Sequence, residues 1–103
     1  MKLKTIKRTK TTSIVLANDD YWGILPDKIL HFYCKGQLYY FEVTNEDAAK
    51  LLEEINKQSW NKLLDHLAYR ERSLGECKEF LSNKIFLKKE LRSALLDKAI
   101  SLN

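Results

Sequence analysis

The side chains best placed to do chemistry in this 103-residue chain are two arginines, Arg70 and Arg72, in the run Tyr69-Arg70-Glu71-Arg72-Ser73. A guanidinium is always charged and presents a planar fork of donors, matched to carboxylate or phosphate. Ser73-x-x-Glu76 has the form of a capping box, in which the hydroxyl accepts from the N3 amide and the carboxylate reaches back to the cap amide. The two arginines therefore fall in a turn between helices, where a scaffold usually displays binding groups. A structural reading stands beside this: arginine in such a turn also bonds the last carbonyls of the preceding helix. Further cations, Lys84, Lys88, Lys89 and Arg92, extend the positive surface. A second group, Lys2, Lys4, Lys7, Arg8 and Lys10, occupies the first twelve residues with no acid among them. Such a strand can contact nucleic-acid phosphates, or its lysines can guard a sheet edge against aggregation.

Catalysis finds no such support. The two histidines, His31 and His66, lack partners at metal-ligand spacing; His66, one residue after Asp65, reads as a surface or half-buried helix residue rather than a base, and His31, beside Phe32, reads the same way. Gly23, Gly36 and Gly75 are isolated, so no phosphate-cradling loop is formed. Asp19-Asp20 and Glu53-Glu54 are adjacent carboxylates that diverge on a helix or are solvated in a turn. The expectation is a protein that is not an enzyme, with no catalytic residue, metal, cofactor or small-molecule substrate.

The elements that must position these cations follow from patterning. The chain is 45% hydrophobic and 31% charged, with a net charge of +4, three glycines and one proline. That composition fits one soluble domain and disfavours a many-turned all-β fold. Residues 1–17 are rich in β-branched side chains and read as extended, with a core strand over Ser13–Ala17. Asn18-Asp19-Asp20 reads as a turn, and Tyr21–Ile24 as the returning strand. Pro26 suits the first position of a helix, here a short one to about Tyr33. Lys35-Gly36 is a turn, and residues 38–43 form an aromatic strand. Thr44 caps the next helix, with Ala48, Leu51, Leu52 and Ile55 as its apolar stripe. The stripe lapses over 56–59 and resumes at Trp60, Leu63, Leu64 and Leu67. No glycine or proline breaks the run, so one long helix over 45–69 is expected, the alternative being a new helix from Ser59. A helix over 74–83 carries Leu74, Cys77, Phe80 and Leu81 inward. The last, over 87–100, carries Leu91, Ala94, Leu95 and Ala99 inward and Lys88, Lys89, Arg92 and Lys98 outward. The expected fold is α+β: a small N-terminal sheet with a short helix over residues 1–43, then a three-helix unit over 44–103.

Cys34 and Cys77 lie in apolar patterns without secretory context and are expected as reduced core thiols. No apolar run is long enough to span a membrane, and the start lacks the apolar stretch of a signal peptide, so a cytoplasmic location is expected.

The run Leu67-Ala68-x-Arg70-x-Arg72-Ser73, then Glu76, then Leu81-x-x-Lys84-x-Phe86 resembles the start of a repeat of the RecX family, bacterial regulators of the recombinase RecA. That pattern reads roughly Leu-(Ser/Ala)-x-Arg-x-Arg-Ser-x-x-Glu-Leu, then Leu-x-x-Lys-Gly-Phe. Leu91, Leu95, Leu102 and Asn103 stand in the corresponding later places, so the resemblance covers about 40 residues, the length of one helical repeat. The upstream segment is similar to the family's amino-terminal part more loosely. Two substitutions depart from the pattern. Ile85 replaces the glycine before Phe86, leaving Asn83 or an altered turn to supply the left-handed position, and Cys77 replaces a leucine-like residue. Relatives carry three such repeats where these 103 residues hold one. The resemblance implies binding in the groove of the RecA–single-stranded-DNA filament. It also implies bridging of protomers and suppression of ATP hydrolysis, strand exchange and repressor cleavage in DNA repair, recombination and the SOS response. Arg70, Arg72, Lys84, Lys88, Lys89 and Arg92 are the partner-binding candidates, and filament affinity below that of a three-repeat relative is expected. The alternative is a single-strand nucleic-acid-binding module. It would use Lys2, Lys4, Lys7, Arg8 and Lys10 with Tyr21, Trp22, Tyr39, Tyr40 and Phe41 as stacking groups, unless those aromatics fill the core.

Overall fold

The computed structural model of the chain describes residues 1–34, 40–69 and 73–101. It is α+β, with the sheet preceding most of the helices. Strands β1 (Lys2–Lys7), β2 (Thr12–Ala17) and β3 (Asp20–Pro26) lead into α1 (Asp27–Cys34). Then come β4 (Tyr40–Glu42), α2 (Asn45–Tyr69), α3 (Leu74–Glu79) with a π-helical turn over Phe80–Lys84, and α4 (Lys89–Ser101). The sheet is antiparallel in the order β3-β2-β1-β4.

The extended residues 1–17 divide into the basic strand β1 and the core strand β2. The chain reverses at Arg8–Thr11, where the Arg8 and Thr9 amides donate to the Thr12 carbonyl at 3.0 and 3.2 Å. The Thr9 and Thr12 hydroxyls meet at 2.6 Å. Side-chain hydroxyls close this turn, so it carries none of the usual glycine, proline or asparagine punctuation. The next reversal follows the expected chemistry. Asn18 and Asp19 have φ of 52° and 64°, the doubly left-handed geometry of a two-residue type I′ hairpin, and Asp20 already pairs with Ala17.

Period-two alternation sorts the strands into two faces. Leu3, Val15, Ala17, Leu25 and Phe41 face the helices and join the main core. Ile14, Leu16 and Ile24 form a smaller cluster with Phe86 packed against it. β1 lies between β2 and β4 over Lys2–Lys4. The edge-strand reading of this basic segment is therefore corrected for those residues: their backbone groups are already paired on both sides. Pro26 closes β3 instead of opening a helix, and α1 begins at Asp27.

α2 is one unbroken helix. The Thr44 hydroxyl accepts from the Asp47 amide at 3.1 Å, and Ala48, Leu51, Ile55, Ser59 and Leu63 form its buried stripe. Ser59, fully buried, bridges the apparent gap at 56–59, whereas Leu64 is 40% exposed. Against this helix the sheet carries Gly23, where a side chain would meet Ile55 and Leu87.

α3 begins with the capping box. The Ser73 hydroxyl accepts from the Glu76 amide at 3.1 Å, and the Ser73 amide donates to Glu76 Oε1 at 3.4 Å. Cys77 is a buried thiol and Leu81 is fully buried, but Leu74 is 47% exposed, not inward. After Glu79 the helix widens, the Ile85 amide donating to the Phe80 carbonyl at 3.2 Å. Phe86, with φ 54°, takes the left-handed position that Asn83 was considered for. This turn sends Ile85 into the main core and Phe86 onto the opposite sheet face. Leu87 is buried ahead of α4, and Leu95 and Leu96 face inward while Ala94 is exposed. The inward stripe 92, 95, 96, 99 carries Arg92 to its half-buried edge, away from the fully solvated side expected for it.

The Lys35-Gly36 turn, the first half of the aromatic strand with Tyr39, and Leu102 and Asn103 lie outside the described residues, as does the side chain of Cys34. No described helix is long and apolar enough to cross a membrane.

Candidate functional site

Three of the expected partner-binding cations converge. Lys88, Lys89 and Arg92 line one cleft of about 360 Å³ with Tyr21 and Phe86. The Lys88 amide donates to the Trp22 carbonyl at 3.0 Å, so its backbone is tied to the edge of β3. Its ammonium lies 5.6 Å from the centre of the Trp22 ring, within cation–π range. Arg92 Nη1 donates to the Ser82 hydroxyl, while its buried Nε has no partner among the described residues. Asp20 and Glu90 share the cleft wall and partly offset the three cations. Lys84 points elsewhere, into a separate cleft of about 490 Å³ at the β1–β2 turn. Arg70 and Arg72 lie outside the described residues.

The basic amino-terminal residues do not form one patch. Lys2 and Lys4 share the outer sheet face, with Lys4 lying 6.0 Å from the Tyr40 ring centre. Lys7 points the other way and pairs with Asp27, which also accepts from the Ser13 hydroxyl at 2.6 Å. Burial pushes the Asp27 carboxyl up. The hydrogen bonds from Lys7 and Ser13, with the charges of Lys7 and His31, outweigh it and hold the pKa below the usual carboxylate value. Lys7 is therefore engaged in joining β1 to the start of α1. Arg8 stacks 5.4 Å from the Phe86 ring centre. Lys10 is exposed, and its carbonyl accepts from Lys7 Nζ at 2.9 Å.

The aromatic residues divide. Trp22 and Phe41 are buried at 4% and 5% exposure and belong to the core, which removes them as stacking groups. Tyr21 and Tyr40 remain exposed, and Tyr21 leans on Phe86 with ring centres 5.2 Å apart. His66, read as an ordinary helix residue, stacks flat on Phe80 at 3.9 Å and 5°. Its helical spacing carried no sign of this, because Phe80 arrives from another helix. No group of three potential metal ligands occurs among the described residues. Comparison with protein-family models, curated proteins and solved structures finds no match to this chain.

Proposed function

We propose that this chain is a RecX-like regulatory protein. It binds RecA–single-stranded-DNA filaments and inhibits their ATPase, recombinase and SOS coprotease activities from a cytoplasmic location. The resemblance of residues 67–86 supports the reading. The observation that carries it furthest is the meeting of Lys88, Lys89 and Arg92 at one cleft directly after that segment. A compact basic surface on a helical unit suits an acidic protein groove, and repeated weak contacts along a filament add through effective concentration.

The test is the DNA-dependent ATPase rate of RecA filaments as the chain is titrated in. Inhibition is expected well below the concentration that coats bare single strands. Lys88→Glu with Lys89→Glu should move the midpoint at least about tenfold, a loss of roughly 1.4 kcal/mol. Arg70→Glu with Arg72→Glu is expected to act in the same direction. Unchanged inhibition by both pairs would reject the site.

A second reading, single-strand binding, draws on exposed Tyr40 beside Lys4 and on Tyr21 with Phe86 beside Arg8. It predicts no filament inhibition, together with binding to bare single-stranded DNA that falls steeply with salt.

A further inference from the structure

We infer that the 490 Å³ cleft between the β1–β2 turn, α2 and the π-helical turn is a binding site for the phosphate of a nucleoside phosphate. Arg8, Lys62 and Lys84 line it, brought from three parts of the chain far apart in sequence. Among the described residues none of the three forms an ion pair, and the only carboxylate in the lining is Asp65. Three cations facing one carboxylate across a concave wall concentrate positive potential, because the low-dielectric walls focus the field into the opening. Arg8 supplies a fork suited to two phosphate oxygens, and the lysines supply compact point charges.

The same lining carries a wall for a planar group. Ile24, Ile85 and Phe80 contribute apolar surface, and Phe80 is held flat against His66. The volume lies within the range of about 300–1,000 Å³ usual for small-molecule sites, more than a lone carboxylate needs. The hydroxyls of Thr9 and Thr12, 2.6 Å apart, share one hydrogen bond and leave one proton to donate. Cations, apolar surface and a hydroxyl donor in one lining match the parts of a phosphate joined to a base through a sugar. The source of that phosphate is either a free nucleotide or a single strand.

This site is distinct from the Lys88–Arg92 cleft, and its test contains no recombinase, so either reading can fail alone. Amide chemical shifts of the ¹⁵N-labelled chain are followed while thymidine 5′-monophosphate, an eight-residue thymidylate strand and a glutamate-rich peptide are added separately. Saturable shifts centred on Arg8–Thr12, Lys62–His66 and Phe80–Ile85 with either thymidine ligand support the site. Saturation by the mononucleotide identifies a free-nucleotide site, and saturation by the strand alone identifies a strand site. Lys62→Gln with Lys84→Gln should weaken the binding at least tenfold, while Lys28→Gln on α1 leaves it unchanged. For the strand, three contacts predict a log Kd against log salt slope of magnitude about 2, falling by about 1.4 in the double variant. No saturable shifts, shifts centred elsewhere, or tighter binding of the peptide would overturn the assignment. The mapping on the unsubstituted chain decides the matter even where the double variant fails to fold.

Discussion

Replacing Gly23 by alanine should cost about 2–6 kcal/mol, the combined size of an overpacked core and a strained backbone. An added Cβ would lie 2.5 Å from Ile55 Cγ2 and 3.4 Å from Leu87 Cδ1. Non-bonded carbons rest at about 3.5–4.0 Å, so the Ile55 methyl must retreat by about 1 Å. Ile55 is fully buried and Leu87 only 3% exposed, and a close-packed interior offers no such space. Overpacking of this kind costs about 1–3 kcal/mol. Gly23 also has φ +151°, a conformation that side chains rarely adopt, which adds roughly 1–3 kcal/mol. Without clash or strain the same substitution would stabilise by about 0.4–1 kcal/mol through the unfolded chain, so even the sign is informative. The assay is urea unfolding followed by far-ultraviolet circular dichroism, with Ile55→Ala and the double variant alongside. Ile55→Ala alone should cost about 2–5 kcal/mol. Because it removes the clashing methyl, the double variant should fall short of the sum by about 1–3 kcal/mol. A Gly23→Ala cost below about 0.5 kcal/mol, or additivity within about 0.5 kcal/mol, would refute the packing argument.

Three further outcomes are expected. Asp27→Ala should cost about 1–2 kcal/mol, chiefly by leaving the buried Ser13 hydroxyl without its acceptor, since Lys7 is 55% exposed and its pairing is screened by solvent. Because the folded pKa of Asp27 is lowered, its contribution is present above the ordinary carboxylate pKa and is lost as pH falls through the folded value. Urea midpoints measured downward from pH 5 should accordingly fall less steeply for Asp27→Asn than for the unsubstituted chain. Ser73→Ala removes the cap of α3 and should cost about 1 kcal/mol, with Ser73→Asp retaining most of it; equal midpoints for all three proteins would show the cap to be idle. Ser59→Ala should raise stability by roughly 1 kcal/mol, because it removes a buried hydroxyl with no hydrogen-bond partner among the described residues from a helix in which alanine is favoured. A lower melting temperature for that variant would contradict this reading.

Local chemistry was the legible part of the fold. Asn18-Asp19, Thr44-x-x-Asp47 and Ser73-x-x-Glu76 each contain both the residue and its partner within a few positions, and each structure forms as its spacing requires. The turn at Arg8–Thr11 was hidden because threonine is ordinary strand material, and backbone bonds to Thr12 with a contact between two such hydroxyls close it. Pro26 misled because proline suits a strand end as well as a first helical turn. Phe86 was hidden by its side chain. An aromatic residue gives no sign of left-handed backbone, and the position is held by the packing of Ile85 and Leu87 on either side. The candidate sites divide in the same way. Lys88, Lys89 and Arg92 share one helical neighbourhood, so helical spacing alone brings them close. Arg8, Lys62 and Lys84 meet only after the sheet and helices have docked, and no local pattern records that.

The strand order β3-β2-β1-β4 also sets an order of events in folding. β1, β2 and β3 are joined by a four-residue and a two-residue turn, and such hairpins form in roughly 1–10 μs. β4 must instead find β1 across all that intervenes, Glu42 pairing with Lys2. Among the described residues that closure gains three registered pairs, with Met1 and Val43 bonded beyond them, so its entropy is recovered late. The three-strand meander is thus the natural nucleus and β4 a late arrival. Substitutions in β4 should quicken unfolding and leave the folding rate almost untouched, whereas those at Val15 or Leu25 should slow folding itself.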